Sequence, residues 1–221
     1  MDKKKKMLMI AVATTMVLIM AGVAGYYWYM QIHYVVTEDA RIDGTIVSVS
    51  TQITGKITDI YVQEGDMVRE GQNIIRQTDL SLSSGANIDL SVIKSPTTGT
   101  VINKSGNVGE MGTPGYPILM LADLKNLYVT AEVEETDLTK IKPKQMVEFT
   151  IDAFPGVDFT GQVISVTKAT VSTFSLMPAK NTGDSFTKVV QRIPVKISIN
   201  DYHGCQLVPG MNVAVKIHVA R

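Results

Sequence analysis

A gapless internal repeat constrains the fold of this chain more than any other feature of its sequence. The stretch GDMVREG at residues 65–71 returns forty-four residues later as GEMGTPG at residues 109–115. The same offset aligns the flanks, so that TG at 54–55 falls on TG at 98–99. Repeats at a fixed period indicate copies of one supersecondary unit that pack on each other. The sequence therefore predicts two interlocking halves related by a pseudo-twofold axis.

Each half carries three glycines at the same spacing. Glycine accepts a positive φ in a tight turn without a Cβ clash, so these positions are predicted to be structural turn glycines. The acidic residue that follows the second glycine, Asp66 or Glu110, is expected to close a turn rather than bind a ligand. The predicted turn glycines are Gly55, Gly65 and Gly71 in the first half and Gly99, Gly109 and Gly115 in the second.

The N-terminal segment has the composition of a membrane anchor. Lysines occupy residues 3–6, and residues 7–30 carry no charged side chain. At about 1.5 Å per residue, some twenty residues span roughly 30 Å, the thickness of a bilayer core. Tyrosine and tryptophan fill residues 26–29, as in the aromatic belt of a membrane surface. Because the lysines precede the segment, residues 1–6 are predicted to be a cytoplasmic tail, 7–30 a transmembrane helix, and the rest extracytoplasmic.

A cleavable secretory signal is the alternative interpretation of this segment. The residues GVA at 22–24 resemble a small-residue cleavage site. The apolar run is longer than the ~7–15 residues of a typical signal core and continues into the aromatic residues, so an uncleaved anchor is favoured. Both interpretations place the remainder of the chain outside the cytoplasm.

Beyond residue 35 the sequence has the pattern of a β protein. Apolar residues alternate with polar ones in VKISIN at 195–200 and in VAVKIHV at 213–219. Proline and glycine turn signals separate the short predicted strands. One helical turn is predicted near residues 136–141, with Asp137 able to cap it. Many short strands between such turns predict a sandwich or a small barrel.

Composition and motifs argue against catalytic, metal and nucleic-acid functions. The 21 basic and 21 acidic residues balance, so no net field would attract nucleic acid. The single cysteine, Cys205, excludes an intrachain disulfide and a multi-cysteine metal site. The histidines, His33, His203 and His218, lack metal-ligand spacing, and no nucleophile-elbow sequence is present. The sequence therefore predicts no enzyme and no catalytic, cofactor-binding or metal-binding residues.

The repeat and its flanks together resemble a known family. TGKITDIYVQEGDMVREGQNIIRQTD, residues 54–79, is similar to the first half of a lipoyl/biotinyl-type β domain, and residues 93–123 are similar to the second half. This form of the domain is the one found in HlyD-like membrane fusion proteins, also called periplasmic adaptors. Residues 37–50, 174–197 and 207–217 resemble the EmrA-type subgroup of that family.

The resemblance implies a domain organisation. It predicts a mainly β chain with a single N-terminal transmembrane helix, a lipoyl/biotinyl-like β sandwich built from two half-motifs, and a β-barrel domain. Residues 31–48 would form an extracytoplasmic lead-in strand, 49–123 the lipoyl-like domain and 124–221 the barrel, which residues around 35–48 would join. The two halves would be residues 49–79 and 93–123, with residues 80–92 as a short connector.

The resemblance also implies a function. Such proteins are accessory subunits of export systems that are anchored in the inner membrane, bind a transporter and extend its exit path. In the EmrA-type subgroup the transporter is usually of the major facilitator type, and multidrug efflux is the expected process. The adaptors often assemble as trimers or hexamers, so a homo-oligomer is expected. The predicted location is the cytoplasmic membrane, with the N-terminus inside, and neither a cofactor nor nucleic acid is expected.

One departure from the family pattern is large. Typical members insert a long α-helical hairpin between the lipoyl halves, and its tip docks on an outer-membrane channel. Here the connector is only LSLSSGANIDLSV, residues 80–92, and thirteen residues allow at most a turn or two of helix in each direction. Docking on a distant outer-membrane channel is therefore doubtful. The chain would be either a naturally short member, suited to a cell with one membrane, or an engineered deletion.

Two other functions are compatible with the repeat. Lipoyl domains also serve as swinging-arm carriers, which need a lysine between the halves for biotin or lipoate. Residues 80–92 contain no lysine, and Lys94 lies too close to Gly99 to serve. An extracytoplasmic binding or structural module without a transporter is the other alternative, which the EmrA-like stretch at residues 174–197 disfavours.

Overall fold

The structure, a computed structural model, describes residues 3–79, 91–167 and 190–219. Most of the predicted connector, residues 80–90, and residues 174–189 of the subgroup-specific stretch lie outside the described residues.

The chain divides into two compact units. The barrel unit comprises Met1–Arg41, Val129–Cys205 and Met211–Arg221. The repeat unit comprises Ile42–Tyr128 and Gln206–Gly210. Residues 206–210, which the sequence assigns to the barrel, thus belong to the repeat unit, where the Gly210 N–H donates to the Ile42 carbonyl at 2.8 Å.

The N-terminal segment forms one helix, α1, from Lys3 to His33. Within it, Val12–His33 is long and apolar enough to cross a membrane. Its 22 residues rise roughly 33 Å at about 1.5 Å per residue. The helix contains the whole predicted anchor, residues 7–30, and continues through residues 31–33, where the sequence predicts the start of a lead-in strand.

Fourteen strands follow α1 within the described residues. In chain order they are β1 (Tyr34–Asp43), β2 (Ile46–Ser50), β3 (Gly55–Ile60), β4 (Met67–Val68), β5 (Asn73–Asp79), β6 (Val92–Lys94), β7 (Gly99–Lys104), β8 (Met111–Gly112), β9 (Pro117–Ala122), β10 (Tyr128–Glu134), β11 (Met146–Ile151), β12 (Asp158–Val166), β13 (Arg192–Ser198) and β14 (Asn212–His218).

A 3₁₀ helix, Glu135–Lys140, lies between β10 and β11 where the sequence predicts a helical turn. The predicted cap is wrong, because the N-cap residue is Glu134, whose side chain makes no capping hydrogen bond. Asp137 lies inside the first turn, and its carboxylate pairs with the Lys140 ammonium at 2.7 Å instead.

Six strands close into a barrel in the order β1-β10-β13-β12-β11-β14. Side chains alternate between the two faces, so that Val147, Phe149 and Ile151 of β11 are buried while their neighbours are exposed. The Phe149 and Phe159 rings stack in the interior with centroids 5.6 Å apart. The first strand precedes β2–β9 in sequence and the other five follow them, so the barrel is discontinuous in the chain.

The repeat unit consists of two four-stranded sheets, ordered β2-β9-β7-β4 and β6-β5-β3-β8. The offset of forty-four residues carries β2 onto β6, β3 onto β7, β4 onto β8 and β5 onto β9. Each sheet therefore contains two strands from each half. Neither half completes a sheet by itself, which is the interlocked arrangement that the repeat predicts.

The irregularities of the two halves also repeat. The register between β3 and β5 shifts between Ile57 and Asp59. The register between β7 and β9 shifts between Val101 and Asn103, which are the same positions in the second half. Such bulges bend a strand and increase its local twist. The two halves therefore share their curvature as well as their turns.

The first half begins earlier than the sequence predicts. Val49 of β2 pairs with Leu119 of β9, and Ile93 of β6 pairs with Ile75 of β5. These are the same pairing displaced by forty-four residues. Residues 46–48 are therefore part of β2 in the repeat unit and not part of a lead-in strand to the barrel.

One apolar core fills the repeat unit, and most of it consists of offset partners. The matched buried pairs are Val49 with Ile93, Ile57 with Val101, Ile74 with Ile118, and Ile75 with Leu119. Three further core residues, Val62, Val68 and Leu121, correspond to Gly106, Gly112 and Gln77 in the other half. The core is thus symmetric except where these three pairs differ in size or polarity.

Four of the predicted turn glycines have left-handed backbone conformations. Their φ angles are +92° at Gly65, +79° at Gly71, +96° at Gly109 and +88° at Gly115. L-residues with a side chain rarely adopt such values because Cβ meets the neighbouring carbonyl oxygen. These four turns therefore require glycine for a local reason.

Two of these turns also bind the halves to each other. The N–H of Gly65 donates to the Val101 carbonyl at 2.8 Å, and the N–H of Gly109 donates to the Ile57 carbonyl at 2.8 Å. Ile57 and Val101 are offset partners in the central strands β3 and β7. Each half therefore places its turn against the central strand of the other half.

Gly55 and Gly99 have a different role from the predicted one. They begin β3 and β7 and lie outside the left-handed region. A Cβ on Gly99 would lie 2.9 Å from the Ala122 carbonyl oxygen, and a Cβ on Gly55 would overlap the carbonyl oxygen of Thr78, the offset partner of Ala122. These glycines permit close approach of two strands rather than a turn.

Replacing Gly65 or Gly109 with valine should lower the free energy of unfolding by roughly 1–3 kcal/mol each, the range for a strained backbone residue. The two losses should be similar, because no atom beyond the adjacent residues lies within 4 Å of the added Cβ at either position and only the local backbone conformation matters. Asparagine, which tolerates this conformation better, should cost less at both positions. Denaturant unfolding of the full chain measures the series, and neutral valine variants would contradict the turn assignment.

Candidate functional site

Helix α1 runs into the first barrel strand without a linker. Helix α1 ends at His33, and β1 begins at Tyr34. The N–H of Val219, just after β14, donates to the His33 carbonyl at 2.9 Å. The His33 ring stacks on that of Tyr29 with centroids 4.2 Å apart, which orders the last turn of the helix. The helix end is therefore fixed to the barrel, and we call this region the junction.

Two open cavities flank the junction. The first, of about 570 Å³, is lined by His33, Tyr34, residues 142–146, His218 and Val219. The second, of about 430 Å³, is lined by residues that include Met30, Val36, Asp137 and Lys140. Each cavity joins helix residues to barrel residues, so a molecule bound in either would contact the anchor and the barrel together.

A cluster of charged and aromatic side chains lies on the barrel wall beside the first cavity. Glu148 Oε1 lies 3.0 Å from Nε2 of His218, and Glu148 Oε2 lies 3.8 Å from Nζ of Lys216. Lys216 Nζ also lies 4.1 Å from the centroid of the Tyr34 ring. Partly exposed pairs of this kind contribute ~0–1 kcal/mol each, so the cluster orients its side chains more than it stabilises the fold.

Polar contacts hold β1 to its neighbour β10 and to the next strand of the barrel, β13. Arg41 lies 3.8 Å from Glu132 of β10, and Asp39 pairs with Arg192 of β13. The Thr37 hydroxyl donates to the Glu132 carbonyl at 2.9 Å. Because β1 continues directly from α1, these contacts join α1 to barrel strands that come much later in the sequence.

The acidic residues of the repeat close their own turns, as the sequence predicts. The Asp66 carboxylate accepts the Gln63 N–H at 2.8 Å, and the Glu110 carboxylate accepts the Asn107 N–H at 3.0 Å. The Asn107 side-chain amide also donates to Glu110, at 2.9 Å. Hydrogen bonds from the Asn107 side chain and backbone hold the pKa of Glu110 below its ordinary value, because they favour the charged form.

The histidines and the cysteine do not form one cluster. His33 stacks on Tyr29 at the junction, the His203 ring meets Phe159 edge-on at 5.5 Å, and His218 pairs with Glu148. The Cys205 sulfur lies 4.0 Å from the His203 carbonyl oxygen. Among the described residues, no group of three His, Cys, Asp or Glu side chains could hold a metal ion.

Sequence reasoning missed a buried polar cluster in the repeat unit. Thr51 and Gln77 are each 2% exposed. Gln77 Nε2 donates to the Ile53 carbonyl at 3.3 Å, while Gln77 Oε1 and Thr51 Oγ1 have no partner in the part of the chain that the structure describes. A Cβ on Gly112 would lie 2.5 Å from Thr51 Cγ2. The available signal was the offset itself, which aligns Gln77 with the core residue Leu121.

Comparisons of sequence identify relatives with this organisation. The YknX-like beta-barrel domain family matches residues 127–217, which include β10 to β13 and all but the last residue of β14. YhbJ of Bacillus subtilis, a candidate efflux system component, is 32% identical over 185 residues that cover 84% of this chain and 80% of YhbJ. The colistin resistance protein EmrA of Acinetobacter baumannii is 36% identical over 143 residues, which cover 61% of this chain and only 40% of that protein.

A solved structure shares the fold. MacA from Actinobacillus actinomycetemcomitans superposes with a TM-score of 0.66 at 19% identity, covering 85% of this chain and 79% of that MacA chain. At this identity the likeness establishes the fold alone, whereas the match to YhbJ extends over most of both sequences. The chain therefore belongs to the HlyD-like membrane fusion proteins, in the EmrA-type subgroup of efflux adaptors.

Proposed function

We propose that this protein is the membrane-anchored adaptor subunit of an export system, where it binds an inner-membrane transporter and extends the transporter's exit path. The observation that carries the proposal is the direct continuation of α1 into β1. Because no linker separates helix from barrel, a membrane-inserted α1 would hold the barrel at the membrane surface. A transporter in the same membrane would open its outer mouth beside that barrel.

The favoured partner is a transporter of the major facilitator type, and the favoured process is multidrug efflux. Both rest on similarity to EmrA-type relatives, one of which is named for colistin resistance. A homo-oligomer around the exit path is part of the proposal. The N-terminal tail would be cytoplasmic, and the barrel and repeat units extracytoplasmic.

The adaptor would act by binding and positioning. Membrane fusion proteins are non-enzymatic, and the energy for export would come from the transporter. Docking on a distant outer-membrane channel is not part of the proposal, because only residues 80–91 separate β5 from β6. The contact surfaces would therefore lie on α1, the barrel unit and the repeat unit.

The native thiol of Cys205 provides a test of membrane topology. It is partly exposed, so a membrane-impermeant maleimide should label it in intact cells if the barrel unit is extracytoplasmic. A C205S chain with Asp2→Cys should react only after lysis, and intact mass should show that residues 1–24 are retained. A mature N-terminus at Gly25, or labelling at position 2 in intact cells, would refute the anchored topology.

The repeat unit should carry neither biotin nor lipoate, because the connector has no lysine. Coexpression of the full chain with biotin and lipoate ligases should leave its mass unchanged, while a known carrier domain in the same cells gains the cofactor. A single added cofactor mass on any lysine would favour a carrier over an adaptor.

The detergent-extracted chain should co-purify with a polytopic transporter, and its deletion should raise cellular sensitivity to that transporter's substrates. Insertion of a ten-residue Gly-Ser linker between His33 and Tyr34 should raise cellular sensitivity as much as deletion does, while both units stay folded. The reason is that the barrel would no longer be held at the membrane. An extracytoplasmic module that works without a transporter would tolerate the linker.

A matched variant tests the connector. Strand β6 begins at Val92, so replacing residues 80–90 with glycines leaves both halves of the repeat intact. Export should persist in this variant, since the connector is proposed to dock on nothing. Loss of export by a folded protein would identify the connector as a working contact.

A further inference from the structure

The turn at residues 142–145 has an unusual residue at its third position. Pro143 precedes Lys144, whose φ is +72°. The Lys142 N–H donates to Gln145 Oε1 at 2.8 Å, and the Lys144 N–H donates to the Val163 carbonyl at 2.8 Å. Proline followed by a residue of positive φ is the pattern of a type II turn, whose third position normally holds glycine or asparagine. The turn is therefore well ordered, although lysine is poorly suited to it.

The repeat unit contains the same turn with glycine. The Arg69 N–H donates to Gln72 Oε1 at 3.0 Å, as the Lys142 N–H does to Gln145, and the third residue is Gly71 with φ +79°. Among the described residues, only Lys144 and His203 have a positive φ without being glycine. Lysine at position 144 is thus less favourable for folding than glycine, and what it adds is an ammonium group. Residues in such strained conformations cluster at functional sites.

The position of this turn indicates what the ammonium group meets. The turn and His33, the last residue of α1, line the same cavity of about 570 Å³. The aromatic residues at 26–29 precede His33 by one turn and are exposed, as in side chains that mark the lipid headgroup region. With α1 across a membrane, the turn therefore lies at the level of the lipid headgroups on the outer surface.

The charge around the cavity favours an anion. Lys142 and Lys144 are exposed, and neither makes an ion pair within the described residues. No carboxylate is among the described residues that line this cavity. Beside it, Glu148 lies 3.8 Å from Lys216 Nζ and 3.0 Å from His218 Nε2, and Asp137 pairs with Lys140. Met146, two residues after Lys144, is 58% exposed and can enter the apolar boundary below the headgroups.

We propose that Lys142 and Lys144 bind the phosphate groups of anionic phospholipids in the outer surface of the membrane that holds α1. The contact fixes the rotation and height of the barrel above the membrane, with Met146 as an apolar neighbour. This inference rests on the proposed topology of the anchor. Attraction of this kind falls off within a Debye length, about 8 Å at 0.15 M salt, so it depends on contact with the surface.

The test uses the full C205S chain in nanodiscs that contain no other protein and that carry a spin label on a fraction of the lipid headgroups. A fluorophore on Met146→Cys reports on the turn, and a fluorophore on Asp152→Cys reports on the opposite end of β11. The single tryptophan, Trp28, reports on insertion of the anchor. We expect the label at position 146 to be quenched at least twofold more than the label at 152, and more strongly in phosphatidylglycerol than in phosphatidylcholine.

Charge is tested by two variants in the same discs. K142Q/K144Q should remove more than half of the phosphatidylglycerol-dependent quenching, whereas K56Q/K94Q, with equal charge loss in the repeat unit, should leave it unchanged. K144G should raise the melting temperature, because glycine suits the turn, and should still reduce the lipid dependence. If the turn had a purely structural role, K144G would raise the melting temperature but leave the lipid dependence of the quenching unchanged.

The outcomes separate the inference from the topology on which it rests. If Trp28 is not quenched by the headgroup label, the anchor is not inserted and the proposed topology fails. If Trp28 is quenched but positions 146 and 152 are quenched equally, the turn does not contact the membrane and the inference is wrong. The inference would also be wrong if the phosphatidylglycerol-dependent quenching at position 146 persisted in K142Q/K144Q.

Discussion

The exchange of backbone hydrogen bonds between the two halves of the repeat is the constraint on which the rest of the structure depends. The Gly65 N–H donates to the carbonyl of Val101 in β7, and the Gly109 N–H donates to the carbonyl of Ile57 in β3. This exchange makes both sheets composite and brings the two ends of the repeat unit together, since Ile46 pairs with Ala122. The chain therefore enters and leaves the repeat unit side by side, and β1 and β10, which flank it in sequence, are neighbours in the barrel.

This arrangement explains how one chain can couple its N-terminal helix to a barrel formed mostly much later in the sequence. Strand β1 is an extension of α1, and it is held by Glu132 on β10 and by Arg192 on β13. A displacement of the helix end would therefore act on β1 and, through these contacts, on β10 and β13. For an adaptor that positions other molecules, such a rigid attachment is more useful than a flexible tether.

The sequence predicted those features that rest on a repeated or periodic pattern. The offset of forty-four residues predicted the interlocked halves, and the long apolar run predicted α1. It did not predict that residues 46–48 belong to β2, because the counterparts of Ile46 and Val47 are Leu90 and Ser91, a pairing too weak to extend the repeat. Identity along the repeat is strongest at turns, where backbone geometry restricts the residue, and weakest along strands, where many apolar residues fit.

The junction was harder to predict for a different reason. The cavity at His33 is formed by residues more than a hundred positions apart, which no local pattern brings together. Asp137 was misassigned for a local reason, because its residue type suits a cap but the N-cap position falls on Glu134 and the Asp137 carboxylate pairs with Lys140. Gly55 and Gly99 illustrate a related limit, since a glycine needed for close strand approach looks the same in sequence as a glycine needed for a turn.

The composite sheets have a consequence for how the chain folds. Since neither half can complete a sheet alone, the halves must pair before either gains its full set of strand contacts. The length of the segment between them determines the loss of chain entropy when they pair. The entropy of loop closure grows only with the logarithm of length, by about 0.6 kcal/mol for each doubling of a flexible loop. A connector of residues 80–91 keeps this term small, so the two halves should find each other early, as a hairpin does. A relative with a long insertion at the same point would depend on the insertion forming its own structure to bring the halves back together.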